Sequence, residues 1–401
     1  MKPSTGPLAG LRVLEVTQIM SGPTCGLLLA DMGADVIKIE KIPGGDDARG
    51  YRDPQVGGVS APFMMMNRNK RGLALNLKSP KGRALLLKMV KNADVLVENF
   101  RGGTMDKLGL GYEALKAENP GLIYCAITGY GRSGPYADKG GFDLIAQGFA
   151  GLMSVTGEAG RPPAKSGNAV SDMNAGILAA LGILAAYIHK LKTGEGQVVD
   201  TSLSDAALQQ TYWHAAVWFA TQRSPEPTGS AHILTAPYQA FEASDGWINI
   251  GGANQANWER ICDVLGNPAW KGDERFATNR DRMAHLDVLV ELMNAVVRTR
   301  TRGEWQAAFD AAGVPAGPVH TIGEALSHPQ TLARGMVVEV EHPQAGATRA
   351  IGCPIHFSAS PDRSSTPAPL LGQHTREVLR EFDLPEAEID ALVAEGVVAE
   401  A

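Results

Sequence analysis

Cysteine is scarce in this chain of 401 residues, which contains only Cys25, Cys125, Cys262 and Cys353. The four are far apart, form no CxxC pair and have no histidine at metal-ligand spacing, so neither a disulfide framework nor a zinc site is predicted. The N-terminal stretch lacks the apolar region and cleavage site of a signal peptide, and no segment is predicted to anchor in a membrane. These absences favour a protein of the reducing cytoplasm.

An excess of positive charge is also missing. Lysine and arginine total 37 against 43 aspartates and glutamates, which gives a formal net charge of -6. Binding to a nucleic-acid backbone depends on a high density of basic residues, so a nucleic-acid partner is not expected. The composition, 44% hydrophobic and 20% charged, is that of an ordinary globular protein, and the length is enough for two or three domains.

The usual motifs of nucleotide-binding and hydrolytic enzymes are absent. The first predicted strand–helix–strand unit ends in Glu40, as a dinucleotide-binding unit would, but its turn reads IMSGPTCG, with Met20 in place of a close-approach glycine. There is no P-loop, and Ser133 in GYGRSGP does not match the nucleophile elbow G-x-S-x-G. The nine histidines are scattered without metal-binding spacing, so no metal site is predicted.

What the sequence does contain is a regular alternation of apolar strands and helices. Buried strands are predicted at 11–16, 34–40, 93–99 and 122–131, with a further strand in QVVDTSL. Helices are predicted at 23–33, opened by Pro23, and at 80–92, capped by Ser79. This order predicts an α/β fold with a parallel sheet.

A long apolar helix is predicted at 173–192, with apolar residues on nearly every face and Gly194 as its stop. It is expected to be buried in protein, because its apolar run is shorter than a membrane span. Asp172 lies at its start, where aspartate is a favoured N-cap residue. A helix N-terminus also keeps a carboxylate ionised, as a nucleophile requires, so capping and catalysis both remain open for Asp172.

The composition changes after the next predicted helix, at 204–220. The stretch TQRSPEPTGSAH at 221–232 is polar and contains the proline and glycine typical of a linker. Beyond it, the strand GWINIGG and helices near 255–265, 280–300 and 303–312 predict a smaller α+β domain. A closing strand pair and two short helices around Asp383 follow. The predicted domains are therefore a large α/β domain over 1–220 and a linker with a small domain over 221–330.

Seven stretches, in the same order along the chain, resemble the family III CoA-transferases, the group that contains formyl-CoA and carnitine CoA-transferases. They are GLRVLEVTQIMSGPTCGLLLADMGADVIKIEK, GDDARG, NRNKRGLALNLKSPKGR, ADVLVENFRGGTMDKLGLGYEAL, GFDLIAQGFAGLMSVTG, SDMNAGILAALGILAAYIHKLKTGEGQVVDTSLSDAAL and APLLGQHTREVL. The resemblance implies an open-ring chain that forms an interlocked homodimer, with a Rossmann-like large domain to which residues 331–401 return. The family's catalytic aspartate opens the buried helix in an x-x-D-x-x-x-G pattern, which Asp172 and Gly176 match.

The resemblance implies a coenzyme A thioester as substrate and no permanently bound cofactor. A thioester carbonyl is activated enough for an ionised aspartate to attack it, giving a mixed anhydride and a CoA thiolate that then forms an aspartyl-CoA thioester. Both acids and the aspartate are ionised near pH 7, so no general base is needed. The developing oxyanion needs backbone donors, for which Gly140, Gly141, Gly251 and Gly252 are candidates.

Coenzyme A carries several phosphate charges, so an acidic protein needs a local basic patch to bind it. The stretches NRNKRGLALNLKSPKGR and NFRGGTMDK contain seven basic residues that could form this patch: Arg68, Lys70, Arg71, Lys78, Lys81, Arg101 and Lys107. The alternative is that they form a solvated basic face without a ligand. The family's CoA-contacting positions are matched by Lys41, Leu75, Lys78, Asn99, Phe100, Arg101 and Lys107. Met20 lies beside the expected acyl end, where formyl-CoA transferases have glutamine, so a formyl or oxalyl substrate is not expected.

The stretch TGSAHILTAPYQAF resembles members that move CoA from succinyl-CoA to another dicarboxylic acid such as glutarate, and Ser230 or His232 could contact a distal carboxylate. Two alternatives stay open. The α-methylacyl-CoA racemases pair the aspartate with a histidine in a G-H-D stretch, but Phe142 replaces that histidine here and cannot accept a proton, leaving Asp143 to act as the second base. A protein that only binds coenzyme A is the other alternative.

Overall fold

The computed structural model describes residues 5–360 and 365–401. The strands are β1 (Arg12–Val16), β2 (Asp35–Glu40), β3 (Gln55–Val56), β4 (Val59–Ser60), β5 (Arg71–Leu75), β6 (Val95–Glu98), β7 (Ile123–Thr128), β8 (Val198–Ser202), β9 (Tyr238–Ala243), β10 (Gly246–Gly251), β11 (Ala316–Pro318), β12 (Val337–His342), β13 (Gly346–Ile351) and β14 (Val398–Ala399).

The helices alternate with these strands in the first half of the chain. They are α1 (Ser21–Asp31), α2 (Ala61–Asn67), α3 (Pro80–Val90), α4 (Thr104–Lys107), α5 (Tyr112–Glu118), α6 (Asp143–Phe149), α7 (Val170–Thr193), α8 (Leu203–Gln209), α9 (Tyr212–Thr221), α10 (Gln255–Val264), α11 (Asn279–Ala284), α12 (Leu286–Val297), α13 (Arg302–Ala311), α14 (Ile322–Ser327), α15 (Pro329–Ala333), α16 (Thr375–Glu381) and α17 (Glu386–Ala394). Short 3-10 helices lie at Asp47–Gly50, Leu152–Ser154 and Pro268–Gly272.

A seven-stranded sheet in the order β14-β5-β2-β1-β6-β7-β8 forms the centre of the larger of two compact units. Strands β5, β2, β1, β6, β7 and β8 pair in parallel, whereas β14 is antiparallel to β5. Val13 of β1 pairs with Val36 of β2 on one side and Val95 of β6 on the other. The predicted parallel α/β sheet is therefore confirmed.

Helices cover both faces of this sheet. Leu14 and Ile37 belong to one core, which is completed by residues of α3, α5, α16 and α17. Val13 and Val36 belong to a second core, which is completed by residues of α1, α7 and α8. Neighbouring residues of a strand point to opposite faces, so both faces of β1 and β2 are buried, and this explains why these strands are continuous apolar runs.

The second unit contains Met153–Ala164 and Tyr212–His328, and the first contains Met1–Leu152, Lys165–Thr211 and Pro329–Ala401. The second unit has a three-stranded sheet in the order β11-β10-β9, with antiparallel pairing. Helices α10, α12 and α13 supply the large side chains of its core, among them Trp258, Met293 and Trp305. The predicted limits at 220 and 330 differ from this division, because α9 and a segment before α7 belong to the second unit.

Several predicted helix ends differ from those in the structure. Helix α1 begins at Ser21, before Pro23, and Ser79 precedes α3 without a capping hydrogen bond from its side chain. The single helix predicted at 204–220 is two helices, α8 and α9. The break follows from Thr211, whose amide and hydroxyl both donate to the Leu208 carbonyl at 3.0 and 2.8 Å and so close the last turn of α8. The predicted helix at 280–300 is likewise divided at His285 into α11 and α12.

Helix α7 begins at Val170, earlier than predicted, so Asp172 is the third residue of its first turn and not its N-cap. By length and composition this helix could cross a membrane, but it packs on α1, β7 and β8. In the single chain the helix is buried on its inner side only, because its outer face exposes large apolar side chains. These are Ile177, Leu181, Ile188 and Leu191.

Candidate active site

Two pockets lie at the edge of the sheet where the parallel strands β1, β2, β5 and β6 end. This edge is where open α/β sheets usually bind their ligands, because the loops that follow the strands leave a crevice there. The larger pocket has a volume of about 560 Å³ and the smaller about 280 Å³. Gln18, Phe100 and Thr104 line both, so the two pockets adjoin.

The structure brings together all the site residues that the family resemblance predicts. The larger pocket is lined by Lys41, Leu75, Lys78, Phe100 and Lys107. The smaller pocket is lined by Met20, Asn99, Phe100, Arg101, Gly140, Gly141 and Asp172. These residues come from loops spread over more than half of the first unit, and the sheet edge places them side by side. Their individual roles remain predictions.

Asp172 sits in the smaller pocket with a perturbed carboxyl group. Burial, and next the charge of Asp143, raise the pKa of Asp172 from 3.8 to about 6. Among the described residues, no side chain or amide donates a hydrogen bond to this carboxylate. Its charge is therefore poorly stabilised, as suits a carboxylate that must attack a carbonyl carbon, while most of it is still ionised at neutral pH.

Asp143, not Asp172, satisfies the amides at the start of α7. Oδ1 of Asp143 accepts hydrogen bonds from the amides of Ser171 at 2.8 Å and Asp172 at 3.4 Å. Its Oδ2 accepts from the side-chain amide of Gln147 at 2.7 Å, and Gln147 in turn accepts from the amide of Ser166 at 2.9 Å. The capping role considered for Asp172 thus belongs to an aspartate of the neighbouring helix α6, which leaves the Asp172 side chain free.

Gly129 and Gly141 allow the loop after β7 to lie close against the pocket. A Cβ on Gly141 would lie 2.6 Å from the Cα of Gly129, so the two backbones touch where only glycine fits. Gly140 has open space at its Cβ position. In the described part of the chain, the amides of Gly140 and Gly141 have no hydrogen-bond acceptor, which keeps them available as donors. Their predicted role toward an oxyanion is compatible with this geometry.

The other predicted donors and acyl contacts lie in the second unit and already have partners. The amide of Gly251 donates to the Pro315 carbonyl at 2.9 Å, and that of Gly252 donates to the Pro237 carbonyl at 2.6 Å. These two amides are therefore not free to donate to an oxyanion. The prediction that Gly251 and Gly252 are oxyanion donors is wrong. The hydroxyl oxygen of Ser230 accepts from the amide of Ala240 at 3.1 Å.

The predicted basic patch is smaller than expected, because four of its cations have partners in the protein. Arg68 pairs with Asp31, Lys70 with Glu15 at 2.8 Å and Arg71 with Asp35 at 2.7 Å. These three cations are buried, and the sequence does not show which face of the fold they occupy. The fourth, Lys81, pairs with Glu395 at 2.6 Å on the surface.

The cations that do line the pockets are Lys41, Lys78, Arg101 and Lys107. Lys78 and Lys107 are exposed at the rim of the larger pocket. Lys41 pairs with Asp47, and Arg101 donates through Nε to the Asp138 carbonyl at 2.6 Å. An anionic ligand in the larger pocket would therefore meet at least two lysine ammonium groups in the described part of the chain.

Sequence reasoning missed polar residues that surround the site. Gln18 and Thr104 line both pockets, and Asp46 lines the larger one. Glu98, at the end of β6, has a pKa raised to about 7, mainly by burial, and it accepts hydrogen bonds from the amide of Phe100 and the hydroxyl of Tyr124. The motif GDDARG, which contains Asp46, could have drawn attention to this residue, but its residue types alone indicate no catalytic or binding role.

Comparison with known proteins agrees with this geometry. The family model described as CoA-transferase family III matches residues 8–375. The chain belongs to this family. The family prediction is thus confirmed, and so is the prediction that this protein is an enzyme of the CoA-transferase class.

Curated relatives of this CoA-transferase align along most of their length. The succinate–glutarate CoA-transferase of Agrobacterium fabrum is 39% identical over 386 residues, which cover 95% of this chain and 96% of the relative. The human succinyl-CoA:glutarate CoA-transferase is 35% identical, with coverage of 98% and 90%. The acetyl-CoA:oxalate CoA-transferase of Acetobacter aceti is 38% identical, with coverage of 95% and 97%.

Two solved structures have the same fold as this CoA-transferase. A CAIB/BAIF family protein from Brucella suis is 38% identical, superposes with a TM-score of 0.85, and is matched over 94% of this chain and 100% of that chain. A protein from Mycobacterium tuberculosis, Rv3272, superposes with a TM-score of 0.82 at 29% identity, over 93% of this chain and 99% of that chain.

Proposed function

We propose that this CoA-transferase moves CoA from succinyl-CoA to a second dicarboxylic acid, such as glutarate, through covalent intermediates on Asp172. The observation that carries the proposal is the position of Asp172, a desolvated carboxylate with no hydrogen-bond donor from the described residues, in a small pocket that adjoins a larger pocket with lysines at its rim. The larger pocket suits the phosphate groups of coenzyme A. The choice of dicarboxylic acids rests on the names of the relatives.

The reaction is a series of acyl exchanges at one carboxylate. Asp172 attacks the thioester carbonyl of succinyl-CoA, the carbon–sulfur bond breaks, and a mixed anhydride and a CoA thiolate result. The thiolate attacks the aspartyl carbonyl, which gives an aspartyl-CoA thioester and releases succinate. The acceptor carboxylate attacks this thioester and expels the thiolate, which then attacks the acceptor's acyl carbon. The new acyl-CoA leaves and Asp172 is regenerated, so no proton is gained or lost overall.

The smaller pocket contains groups that suit the tetrahedral stages of this reaction. The amides of Gly140 and Gly141 are available as donors for the oxyanion that forms on the carbonyl oxygen. Asp143 keeps the first turn of α7 in place through the amides of Ser171 and Asp172. The nucleophile is thus held by its backbone, and its side chain keeps both oxygens for the substrate.

The racemase alternative fits this geometry less well. Phe142 lines the smaller pocket and is 80% exposed, but a phenyl ring cannot exchange a proton. Asp143 would have to be the second base, and both of its oxygens already accept hydrogen bonds from Ser171, Asp172 and Gln147. These hydrogen bonds hold the Asp143 carboxylate at the start of α7 and keep it from approaching a substrate carbon.

An assay with the Asp172→Asn variant tests the covalent mechanism. Wild-type protein is incubated with succinyl-CoA, acetyl-CoA or formyl-CoA and a panel of acids, and the new thioesters are identified by mass spectrometry. Hydroxylamine added during turnover is expected to trap an activated ester on the peptide that contains Asp172. Asp287→Asn, which alters another first-turn aspartate in α12, is the matched control and should keep full activity. Unchanged transfer by Asp172→Asn would exclude the mechanism.

We also propose that the enzyme forms a homodimer and that it is located in the cytoplasm. The outer face of α7 exposes Leu181 by 62% and Leu191 by 69%, and a contiguous apolar face of this kind usually marks a protein interface. Cys25, Cys125 and Cys262 are buried and form no disulfide, which suits a reducing compartment. Sedimentation analysis should give a dimer mass, and Leu181→Asp should shift it toward the monomer. A wild-type monomer at micromolar concentration would refute the assembly.

A further inference from the structure

The segment between β1 and α1, residues 17–20, has an unusual backbone at the junction of the two pockets. Gln18 lines both pockets, and Ile19 and Met20 line the smaller one. Ile19 has a φ of 67°, in the left-handed region that β-branched residues rarely occupy. Such a conformation is unfavourable for a β-branched residue and persists only where surrounding contacts impose it.

Asn99 holds the segment from the side of β6. Its Oδ1 accepts a hydrogen bond from the amide of Gln18 at 2.9 Å, and its Nδ2 donates to the carbonyl of Gln18 at 2.9 Å. The same Nδ2 donates to the hydroxyl of Ser21 at 3.1 Å. Both polar backbone groups of Gln18 are thus bound by one side chain, which fixes the residue just before Ile19.

Asp46 and Lys38 hold the segment from the side of β2. Oδ1 of Asp46 accepts a hydrogen bond from the amide of Ile19 at 2.9 Å, and its Oδ2 contacts Nζ of Lys38 at 2.8 Å. Nζ of Lys38 also donates to the carbonyl of Thr17 at 3.1 Å and to Glu15 at 3.2 Å. The side chains of Lys38 and Asp46 are fully buried, so this ion pair has little freedom to move.

The GDDARG stretch provides Asp46 in the required place. Gly45 has a φ of 70°, and a Cβ there would lie 2.7 Å from Oε2 of Glu40, so glycine is needed at this turn. The amide of Asp46 donates to the same Glu40 carboxylate at 3.0 Å, and Arg49 binds Glu40 through Nε at 2.7 Å. The motif therefore builds a rigid support for one carboxylate, that of Asp46.

We propose that Asp46 and Asn99 are positioning residues for the transfer reaction: together they force Ile19 into the left-handed conformation and thereby place Gln18 and Met20 at the acyl end of the substrate. The inference rests on the function proposed above. Lys41, Lys78 and Lys107 line the larger pocket and lie outside residues 17–20. Weakening the hydrogen bonds from Asp46 and Asn99 should therefore misplace the thioester relative to Asp172 more than it weakens the binding of coenzyme A.

The Asp46→Ala variant, tested alone and with Ile19→Gly, separates positioning from stability. Asp46→Ala is expected to lower kcat by about 10- to 100-fold, because small displacements of reacting groups cost that much, and to change the KM for acyl-CoA by a smaller factor. Glycine adopts positive φ without steric cost, so adding Ile19→Gly should restore a large part of kcat. Asp46→Asn, which keeps the shape of the side chain, is the second variant in case Asp46→Ala does not fold, and it should show a smaller loss of the same kind.

Asp31→Ala is the matched control, because Asp31 is another buried aspartate paired with a buried cation, Arg68, and it lines neither pocket. It should lose stability as Asp46→Ala does but keep kcat. If Asp46→Ala keeps kcat within about twofold of wild type, a change too small to indicate misplaced reacting groups, or if Ile19→Gly restores nothing, the inference is wrong while the proposed function stands.

Hydrogen exchange of the amide of Ile19 gives a readout that does not need activity. Because Asp46 accepts a hydrogen bond from this amide, its exchange should be slow in the wild-type protein and faster in Asp46→Ala, while exchange of the β1 amides stays unchanged. Rapid exchange of Ile19 in the wild type would overturn the inference even if every acid tested proved a substrate. Absence of transfer in the wild type would instead count against the proposed function alone.

Discussion

Replacing Asp172 by asparagine is expected to abolish transfer and, at the same time, to make the protein more stable at neutral pH. Asparagine has nearly the same shape but no charge, so it removes the nucleophile and the desolvated carboxylate together. The expected gain in stability follows from the pKa of Asp172, which burial and then Asp143 raise from 3.8 to about 6 in the folded protein.

The size of the gain can be worked from this pKa. A difference of about two pKa units between the folded and unfolded protein corresponds to about 3 kcal/mol. Asp172 is only partly buried at a pocket, where solvent screens its charge, and the positive end of α7 contributes about 0.5 to 1 kcal/mol in the other direction. The net increase in the free energy of unfolding for Asp172→Asn is therefore about 1 to 2 kcal/mol at neutral pH.

The pH dependence has a definite sign. The folded protein holds a proton on Asp172 up to about pH 6, whereas the unfolded chain releases it near 3.8. Between these values the folded state binds more protons, so the stability of the wild type falls relative to the variant as pH rises. The difference should be near zero below the unfolded pKa, should grow through the window, and should stay constant above the folded pKa.

Thermal unfolding of both proteins, measured by calorimetry over this pH range at equal protein concentration, tests the reasoning. A rise of a few degrees in Tm for Asp172→Asn at neutral pH, which vanishes in acid, is expected. Asparagine caps a helix about as well as aspartate, so the cap is tested with Asp172→Ala: a loss of about 1 kcal/mol relative to Asp172→Asn at neutral pH would refute the assignment of that cap to Asp143.

Other predictions concern the nucleophile, the pocket lysines and the reaction type. The acid limb of kcat/KM should lie near pH 6, because Asp172 must be ionised, and Asp143→Asn should move it to lower pH in a pH–rate profile. Lys78→Ala and Lys107→Ala should raise the KM for acyl-CoA more than they lower kcat, an effect that added salt should weaken in steady-state kinetics. Arg68→Ala should lower the free energy of unfolding, measured with denaturant, by about 3 to 5 kcal/mol, because it leaves the buried Asp31 carboxylate without its cation; the KM should be unchanged if the protein folds. A 2-methylacyl-CoA incubated in deuterated water should gain no deuterium at the α carbon by mass spectrometry; rapid exchange would favour a racemase.

The central sheet was predictable because its strands are buried on both faces. A stretch such as RVLEV carries that burial in its own composition, and the helix between two such strands follows from local pattern. Helix ends were less predictable. An aspartate in the first turn of a helix and an aspartate at its N-cap have the same local sequence preferences, so the position of Asp172 in α7 could not be read from residue types.

The residues of the candidate site were predictable as a set because a parallel sheet brings its strand ends to one edge. Leu75 ends β5, and Lys41, Asn99 and Gly140 follow three other strands, yet all four line two adjoining pockets. The support of the site was not predictable. Asp46 and Asn99 hold the segment around Ile19 through side-chain contacts to backbone atoms 27 and 81 residues away, and no sequence pattern records such contacts.

The amino-acid sequence alone determines the type of sheet, the family and the residue that carries the proposed chemistry, since each depends on composition and order along the chain. Only the tertiary structure decides which charges are free to act. Lys70 lies 55 residues from Glu15 in sequence but forms a buried ion pair with it, so its charge is not available to a ligand. Lys78 instead remains exposed at the larger pocket. The same holds for Asp172, whose pKa depends on burial and on Asp143, because electrostatic energy follows distance in space and not distance along the chain.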